Sequence, residues 1–270
     1  MDVNDNGFLV TAIDAARRAG QVIMANAGRL TDQDIDLKQA SDFVTTVDRA
    51  SEDVIIGTIR NRYPDHLFLA EESYSDTRGG AYRWIIDPLD GTTNFIHGFP
   101  VFSVSIALQE GGDIVTGVIY NPLNGELFHA EKGRGAFLND RPIRVSSGTS
   151  MEKSLVTTGF PFRRKQFIDD YLRLFRRLFL RVSDLRRAGS AALDLAYVAC
   201  GRCDGFFELG LSAWDIAAGS ILITEAGGVI SDFGGGKEYL LTGNTVAGAP
   251  LVQAEILREV RKIFRGTVDR

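Results

Sequence analysis

Cysteine is nearly missing from this 270-residue chain, which has only Cys200 and Cys203. One C-x-x-C makes no disulfide framework, and a zinc ribbon needs a second pair. The pair follows an apolar helical pattern, Ala192 to Ala199, that Gly201 ends. Both thiols therefore sit at a helix C-terminus, the wrong end of the dipole for a reactive thiolate, and read as small buried residues. Histidine is scarce too, with three in the chain. His97 lies in a Gly/Pro loop and His129 in a strand with no acidic orienter nearby in sequence, so neither is favoured as a general base. Long apolar runs are lacking. The longest charge-free stretch, Gly91 to Gln109, holds Asn, His, Pro and Gly and does not read as a membrane span. The start, Met1-Asp2-Val3-Asn4-Asp5, has neither a basic n-region nor an apolar h-region, so no secretory signal is read and a cytoplasmic protein is expected. No internal repeat or low-complexity segment is found. A net charge of −5, from 30 basic and 35 acidic side chains, argues mildly against general nucleic-acid affinity.

What is present is an ordinary globular composition, 44% hydrophobic and 24% charged. A chain of this length buries roughly three quarters of its unfolded surface and needs no staples. It suits one large domain or two modest ones that share a core. The most informative stretch is Trp84-Ile85-Ile86-Asp87-Pro88-Leu89-Asp90-Gly91-Thr92-Thr93-Asn94-Phe95. It begins as a short apolar run, consistent with one buried strand. Asp87 is then delivered to the sheet edge, and Pro88, which lacks a donor, is expected to take the chain out of the sheet. Gly91 permits a turn that returns Asp90 and Thr92 to Asp87. Hard divalent cations such as Mg²⁺ take oxygen ligands of this kind. Turn chemistry alone also accounts for D-P-x-D-G.

Around this stretch the chain alternates elements. Phe8, Leu9, Ala12, Ile13, Ala16, Ala19, Val22 and Ile23 mark a helix over 8–29 with a stripe for close packing on a sheet. Lys38 to Asp48 reads as a short extended piece entering a second helix that Pro64 stops, with Asp48 near its start, where a carboxylate suits the dipole. Leu67-Phe68-Leu69-Ala70 is a strand ending in Glu71-Glu72-Ser73. Carboxylates ending neighbouring strands tolerate one another only with a cation between them. From Phe102 to Val145 the period is two, with hairpin signals at Gly111-Gly112 and Asn121 to Gly125, predicting a mostly antiparallel sheet covered by two helices. After residue 150 the reading is Leu155–Thr158 strand, Phe162–Leu180 basic amphipathic helix, Val182 short strand, Ser190–Cys200 helix, Gly205–Leu209 strand and Trp214–Ala226 helix. Strands at 228–233 and 244–249 and a helix at 251–264 close it, implying a sheet with helices on its faces. A boundary is expected at residues 146–153, separating an N-terminal α+β subdomain (1–150) from a C-terminal α/β subdomain (151–270). Gly189-Ser190-Ala191-Ala192 opens a helix in a way that suits an anion or polar ligand. Asp215 falls in the first turn of another helix, which the dipole alone explains. Arg163, Arg164, Lys165, Arg173, Arg176, Arg177, Arg181, Arg186 and Arg187 form a basic cluster, read as a solvated helix face or dimer contact, with an RNA or protein partner as the less favoured option.

Together these segments resemble the inositol monophosphatase family, nearest its bacterial branch. The resemblance rests on Glu71-Glu72-Ser73, Trp84 to Phe95, Trp214-Asp215-Ile216-Ala217-Ala218-Gly219, Asp42-Phe43-Val44-Thr45 with Asp48, Gly189 to Ala192, and Phe206-Phe207-Glu208. It implies a layered αβαβα fold and Mg²⁺-dependent hydrolysis of phosphate monoesters. By the same resemblance Glu71, Asp87 and the Leu89 carbonyl bind one Mg²⁺, and Asp87, Asp90 and Asp215 a second, with Glu71 reaching toward a weaker third. Thr92, oriented by Asp48, positions the attacking water. Gly91, Thr92 and Thr93 hold the phosphate, while Gly189, Ser190, Ala191, Glu208 and Asp215 face the polyol. In-line displacement needs no nucleophilic Ser or Cys. The implied substrate is a small phosphorylated polyol, myo-inositol 1-phosphate first, with fructose 1,6-bisphosphate and NADP as alternatives. A homodimer is expected, with no membrane association. The non-enzymatic alternative is an RNA- or transcription-associated regulatory partner.

Overall fold

The computed structural model describes residues 7–39, 42–73, 75, 76 and 79–264. The N-terminal stretch Met1-Asp2-Val3-Asn4-Asp5, together with Ala40 and Ser41 of the extended piece, lies outside them. Helix α1 (Phe8–Asn26) buries Ala12, Ala15, Ala16, Ala19 and Ile23. A two-stranded ribbon, β1 (Ile35–Gln39) and β2 (Asp42–Thr45), leads into α2 (Thr46–Arg62). Then come β3 (Leu67–Ala70), β4 (Tyr82–Asp90), the short α3 (Thr92–Ile96), and a meander of β5 (Ser103–Glu110), β6 (Asp113–Asn121), β7 (Glu126–Glu131), β8 (Gly135–Leu138) and β9 (Arg141–Ile143). The remainder is β10 (Leu155–Thr158), α4 (Ile168–Phe179), β11 (Asp184–Arg186), α5 (Ala191–Ala199), β12 (Gly205–Glu208), α6 (Ala213–Glu225), β13 (Val229–Ser231), α7 (Tyr239–Thr242), β14 (Thr245–Gly248) and α8 (Pro250–Ile263).

Seven strands form one sheet in sequential order from β3 to β9, with β3 parallel to β4 and the others antiparallel. The second sheet runs β11-β10-β12-β14-β13 and is mixed, β10 being parallel to both neighbours. Period-two alternation sorts the cores. Trp84 and Ile86 of β4, with Val104, Ile106 and Leu108 of β5, face α1 and α2. Ile85 and Ala107 point the other way, onto α5 and α6, whose far side meets Phe206 and Ala247 of the second sheet. Phe207 and Val246 face outward onto α4 and α8. The order of layers is therefore αβαβα, as the resemblance implies. Among the described residues no helix is long and apolar enough to cross a membrane.

Three expectations are corrected. Pro88 does not end the strand: β4 continues to Asp90, because a register shift between Asp87 and Asp90 absorbs the missing donor. The helix expected from Phe162 is regular only from Ile168; residues 162–167 are 3₁₀ turns broken at Arg164, whose φ of −134° is not helical. The short strand is Asp184–Arg186 rather than Val182, since the Val182 N–H still donates to the Leu178 carbonyl at 3.0 Å and finishes α4.

The middle helices press hard on the large sheet. A Cβ added at Gly117 of β6 would lie 2.5 Å from Ile221 Cγ2 and 2.8 Å from the Ala218 carbonyl of α6. Gly117→Val is therefore expected to destabilise by about 1–3 kcal/mol through overpacking. Urea unfolding midpoints check this, and an unchanged midpoint would contradict the close approach.

Candidate active site

The site is assembled where β3 and β4 end beside the first turns of α3, α5 and α6. A cleft of about 310 Å³ opens there, lined among others by Glu71, Asp87, Leu89, Asp90, Gly91, Thr92, Thr93, Gly189, Ser190, Ala191, Glu208 and Asp215. Every candidate residue read from the sequence thus lies on one cleft, apart from Asp48, which reaches it through Thr92. The turn after Asp87 is closed by the Leu89 N–H, which donates to Asp87 Oδ1 at 3.0 Å. Gly91 has φ of +100°, and a Cβ there would meet the Val101 carbonyl at 2.8 Å, so the turn requires glycine.

Each carboxylate is held by backbone from a different element. Asp90 Oδ2 accepts from Ser190 Oγ at 2.6 Å and from the Ala192 N–H at 2.8 Å, tying β4 to the start of α5. Asp215 is the third residue of α6, and its Oδ2 accepts from the Ser212 N–H at 2.7 Å in a capping box. Asp48 plays the same capping role in α2: its Oδ2 accepts from Thr45 N at 2.9 Å and Thr45 Oγ1 at 2.5 Å. Its other oxygen accepts from Thr92 Oγ1 at 2.9 Å, while the Leu89 carbonyl lies 3.1 Å from the same hydroxyl. The dipole reading of Asp48 and Asp215 is thus correct but incomplete. Glu71 follows β3, its N–H bonded to the Ile86 carbonyl at 3.2 Å. Glu208 ends β12 and packs on Gly159, where a Cβ would come within 1.9 Å of Glu208 Oε1.

One oxygen from each of Asp87, Asp90 and Asp215 lies within 4.8 Å of the other two. All three are buried, at 1%, 9% and 5% exposure. Burial pushes each carboxyl above the usual carboxylate range, and mutual repulsion adds to it: Glu71, Asp90 and Asp215 act on Asp87, and Asp215 acts on Asp90. At Asp215 burial is opposed chiefly by Arg163, whose guanidinium lies 3.2 Å from Oδ2 and 3.6 Å from Glu71 Oε1. Burial raises Asp48 to about 6, and burial with Asp215 raises Glu208 to about 8. Such a cluster is electrostatically satisfied by a proton or a cation. No His or Cys is among the cleft's described lining residues. An all-oxygen donor set fits a hard ion such as Mg²⁺ and not a softer metal.

Sequence reasoning missed several residues of the cleft. Arg163 and Arg187 line it and are not part of a solvated α4 face. The rest of the basic cluster divides differently, with Arg177 and Arg181 paired to Glu259 and Arg173 to Asp170. Asn94 Nδ2 donates to the Val101 carbonyl at 2.7 Å and the Ala188 carbonyl at 3.0 Å, joining the two halves of the site. Asp194, also lining the cleft, is buried with its carboxyl pushed well up by burial and Glu208. A carboxylate inside the apolar run Ala191–Ala199 was its signal. The thiols of Cys200 and Cys203 are both raised by burial, which suits small packing residues. His129 Nε2 is engaged by the Asn139 carbonyl at 3.0 Å, and neither His129 nor His97 lines the cleft.

An αβαβα sandwich with a carboxylate cluster between its two sheets defines the class, a layered α/β fold. The chain belongs to the inositol monophosphatase family, whose model matches residues 5–265. It is 49% identical over 264 residues to the Nus factor SuhB of Escherichia coli K12, covering 97% of this chain and 99% of that protein. It is 45% identical over 258 residues to an inositol-1-monophosphatase of Mesorhizobium japonicum, covering 95% and 97%. Among solved structures it is similar to the extragenic suppressor protein suhB from Bartonella henselae, with a TM-score of 0.92 at 42% identity, covering 95% of this chain and 99% of that one.

Without a cation these carboxyls retain protons that the unfolded chain releases near pH 4. The stability these carboxyls contribute to the metal-free protein should therefore be fully present below about pH 4 and be lost as pH rises, through about 8 for Glu208. In EDTA, Tm at pH 8 is expected below that at pH 5.5 by at least about 2–4 °C, the shift that 1 kcal/mol makes in a chain of this size. Differential scanning fluorimetry checks the direction. Asp90→Asn and Asp215→Asn should shallow the fall.

Proposed function

We propose that this protein is a Mg²⁺-dependent phosphate monoester hydrolase with myo-inositol 1-phosphate as its preferred substrate. The observation that carries the reading is the meeting of Asp87, Asp90 and Asp215 in one cleft beside a threonine held by a buried carboxylate. Glu71, Asp87 and the Leu89 carbonyl would hold one ion, Asp87, Asp90 and Asp215 a second, and Glu71 would reach toward a weaker third. Ions held there would supply a more acidic water and stabilise the departing alkoxide. Thr92 Oγ1 donates its hydrogen bond to Asp48 and would so turn a lone pair toward the attacking water and orient it. The backbone at Gly91, Thr92 and Thr93 offers N–H groups at the start of α3 to the phosphate oxygens. Gly189, Ser190, Ala191, Glu208 and Asp215 face the leaving group. A buried carboxyl at Glu208 can exchange hydrogen bonds with two neighbouring hydroxyls, which favours a polyol over a nucleobase.

Asp87→Asn and Asp215→Asn should fold, because a neutral amide replaces a carboxyl that burial already drives toward neutrality. Both are expected to lose Mg²⁺-dependent phosphate release by at least about 100-fold. Thr92→Ala should cost about 10²–10⁴-fold with little loss of stability. Circular dichroism and a phosphate-release assay check these, and wild-type rates in both aspartate variants would refute the ligand assignment. Comparing kcat/KM for myo-inositol 1-phosphate, fructose 1,6-bisphosphate and NADP tests the substrate. A large preference for the bisphosphate overturns it.

A second, non-catalytic role rests on the name Nus factor carried by the SuhB relatives. Under it, an RNA or RNA-associated partner would contact the exposed arginines of α4. Salt-sensitive RNA binding that disappears when Arg173, Arg176 and Arg177 are neutralised supports this role; its absence at low salt removes it.

A further inference from the structure

We infer that Glu52 is a positioning residue for the metal site: from α2 its carboxylate clamps the loop after β3 and thereby aims Glu71 into the cleft. Glu52 is 1% exposed. Its Oε2 accepts from the Glu72 N–H at 2.8 Å, and its Oε1 accepts from Ser73 Oγ. Both carboxylate oxygens therefore go to one loop, 20 residues away in the chain.

The geometry singles out Glu71. Its own N–H is pinned to the Ile86 carbonyl of β4 at 3.2 Å, and the next N–H is pinned to Glu52. Consecutive peptide planes on either side of Glu71 are thus fixed, and with them the direction in which its side chain leaves the backbone. A plain loop staple would serve equally well at any point between residues 71 and 76. The clamp instead falls on the two residues directly after Glu71.

Position on the helix carries the same message. Glu52 is one turn after Asp48, and residues four apart share a helix face. Asp48 holds Thr92 from that face, and Glu52 holds the Glu71 loop from it. One turn of α2 therefore orients two groups that come from separate loops. Groups that orient metal ligands through hydrogen bonds typically change metal affinity by about 10–100-fold when removed.

The inference rests on Glu71 being a metal ligand, as proposed above, and its test separates the two. Mg²⁺ binding to the full-length protein, stripped with EDTA and dialysed, is measured by isothermal titration calorimetry, with Tm in EDTA recorded for each variant. Glu71→Gln reports on the ligand assignment. Glu52→Ala is expected to raise the Mg²⁺ Kd by about 10–100-fold. Glu52→Gln keeps an acceptor for the Glu72 N–H and a donor for Ser73 Oγ, so it should stay within about threefold of the parent. If Glu71→Gln weakens binding and Glu52→Ala leaves Kd unchanged, the positioning role is overturned while the ligand assignment stands. If Glu71→Gln itself leaves Kd unchanged, the ligand assignment fails and the inference falls with it. A drop of Tm in EDTA with constant Kd marks Glu52 as a structural staple only and also overturns the inference. Should Glu52→Ala not fold, Ser73→Ala, at an exposed position, replaces it; an increase in Kd of at least about threefold supports the clamp and no increase overturns it.

Discussion

Carboxylates buried side by side repel one another and forgo their hydration, and no amount of apolar packing removes that cost. Among the described residues, this molecule accepts it where Asp87, Asp90 and Asp215 converge. The rest of the architecture can be understood as what makes the convergence tolerable. Core on both faces of the large sheet, and on both faces of the small one, fixes β4, α5 and α6 firmly enough that the acidic groups cannot spread apart. Arg163 supplies one counter-charge from outside, leaning from the 3₁₀ segment onto Asp215 and Glu71.

Structural and chemical roles are not alternatives here. A carboxylate has two oxygens with about four lone pairs, so one edge can satisfy backbone N–H groups while the other faces a site. Asp48 and Asp215 each close a capping box, and Asp90 accepts from the first turn of α5. Using helix caps in this way places the carboxylates by backbone geometry, which is stiffer than a free rotamer. It also explains why the cleft sits at the starts of helices. Their unpaired N–H groups and positive dipole ends partly offset the negative charge.

Much of the fold was legible because its signals are local. The alternation in Phe102 to Leu108, the Gly111-Gly112 turn, whose residues adopt φ of +58° and +99°, and the small-residue stripe of α1 each report nearest-neighbour geometry. Failures came where tertiary contacts overrode local preference. Pro88 stayed in its strand because the partner β5 accommodates a bulge, and Arg163 left the α4 pattern to meet carboxylates on distant elements. The basic cluster looked uniform in sequence, yet Arg163 and Arg187 line the cleft, Arg177 and Arg181 pair with α8, and Arg173 pairs within α4.

The sequence by itself determined most of the segments that become strands, turns and helix starts, and which residue types stand at their ends, because those follow from side-chain periodicity, proline and glycine constraints and capping chemistry. Only the tertiary structure decided that Glu71, Asp87, Asp90 and Asp215 face one cleft, and which cations and hydrogen-bond donors stand against them. Distance between side chains on separate elements depends on how layers stack, and no short-range pattern along the chain encodes that spacing.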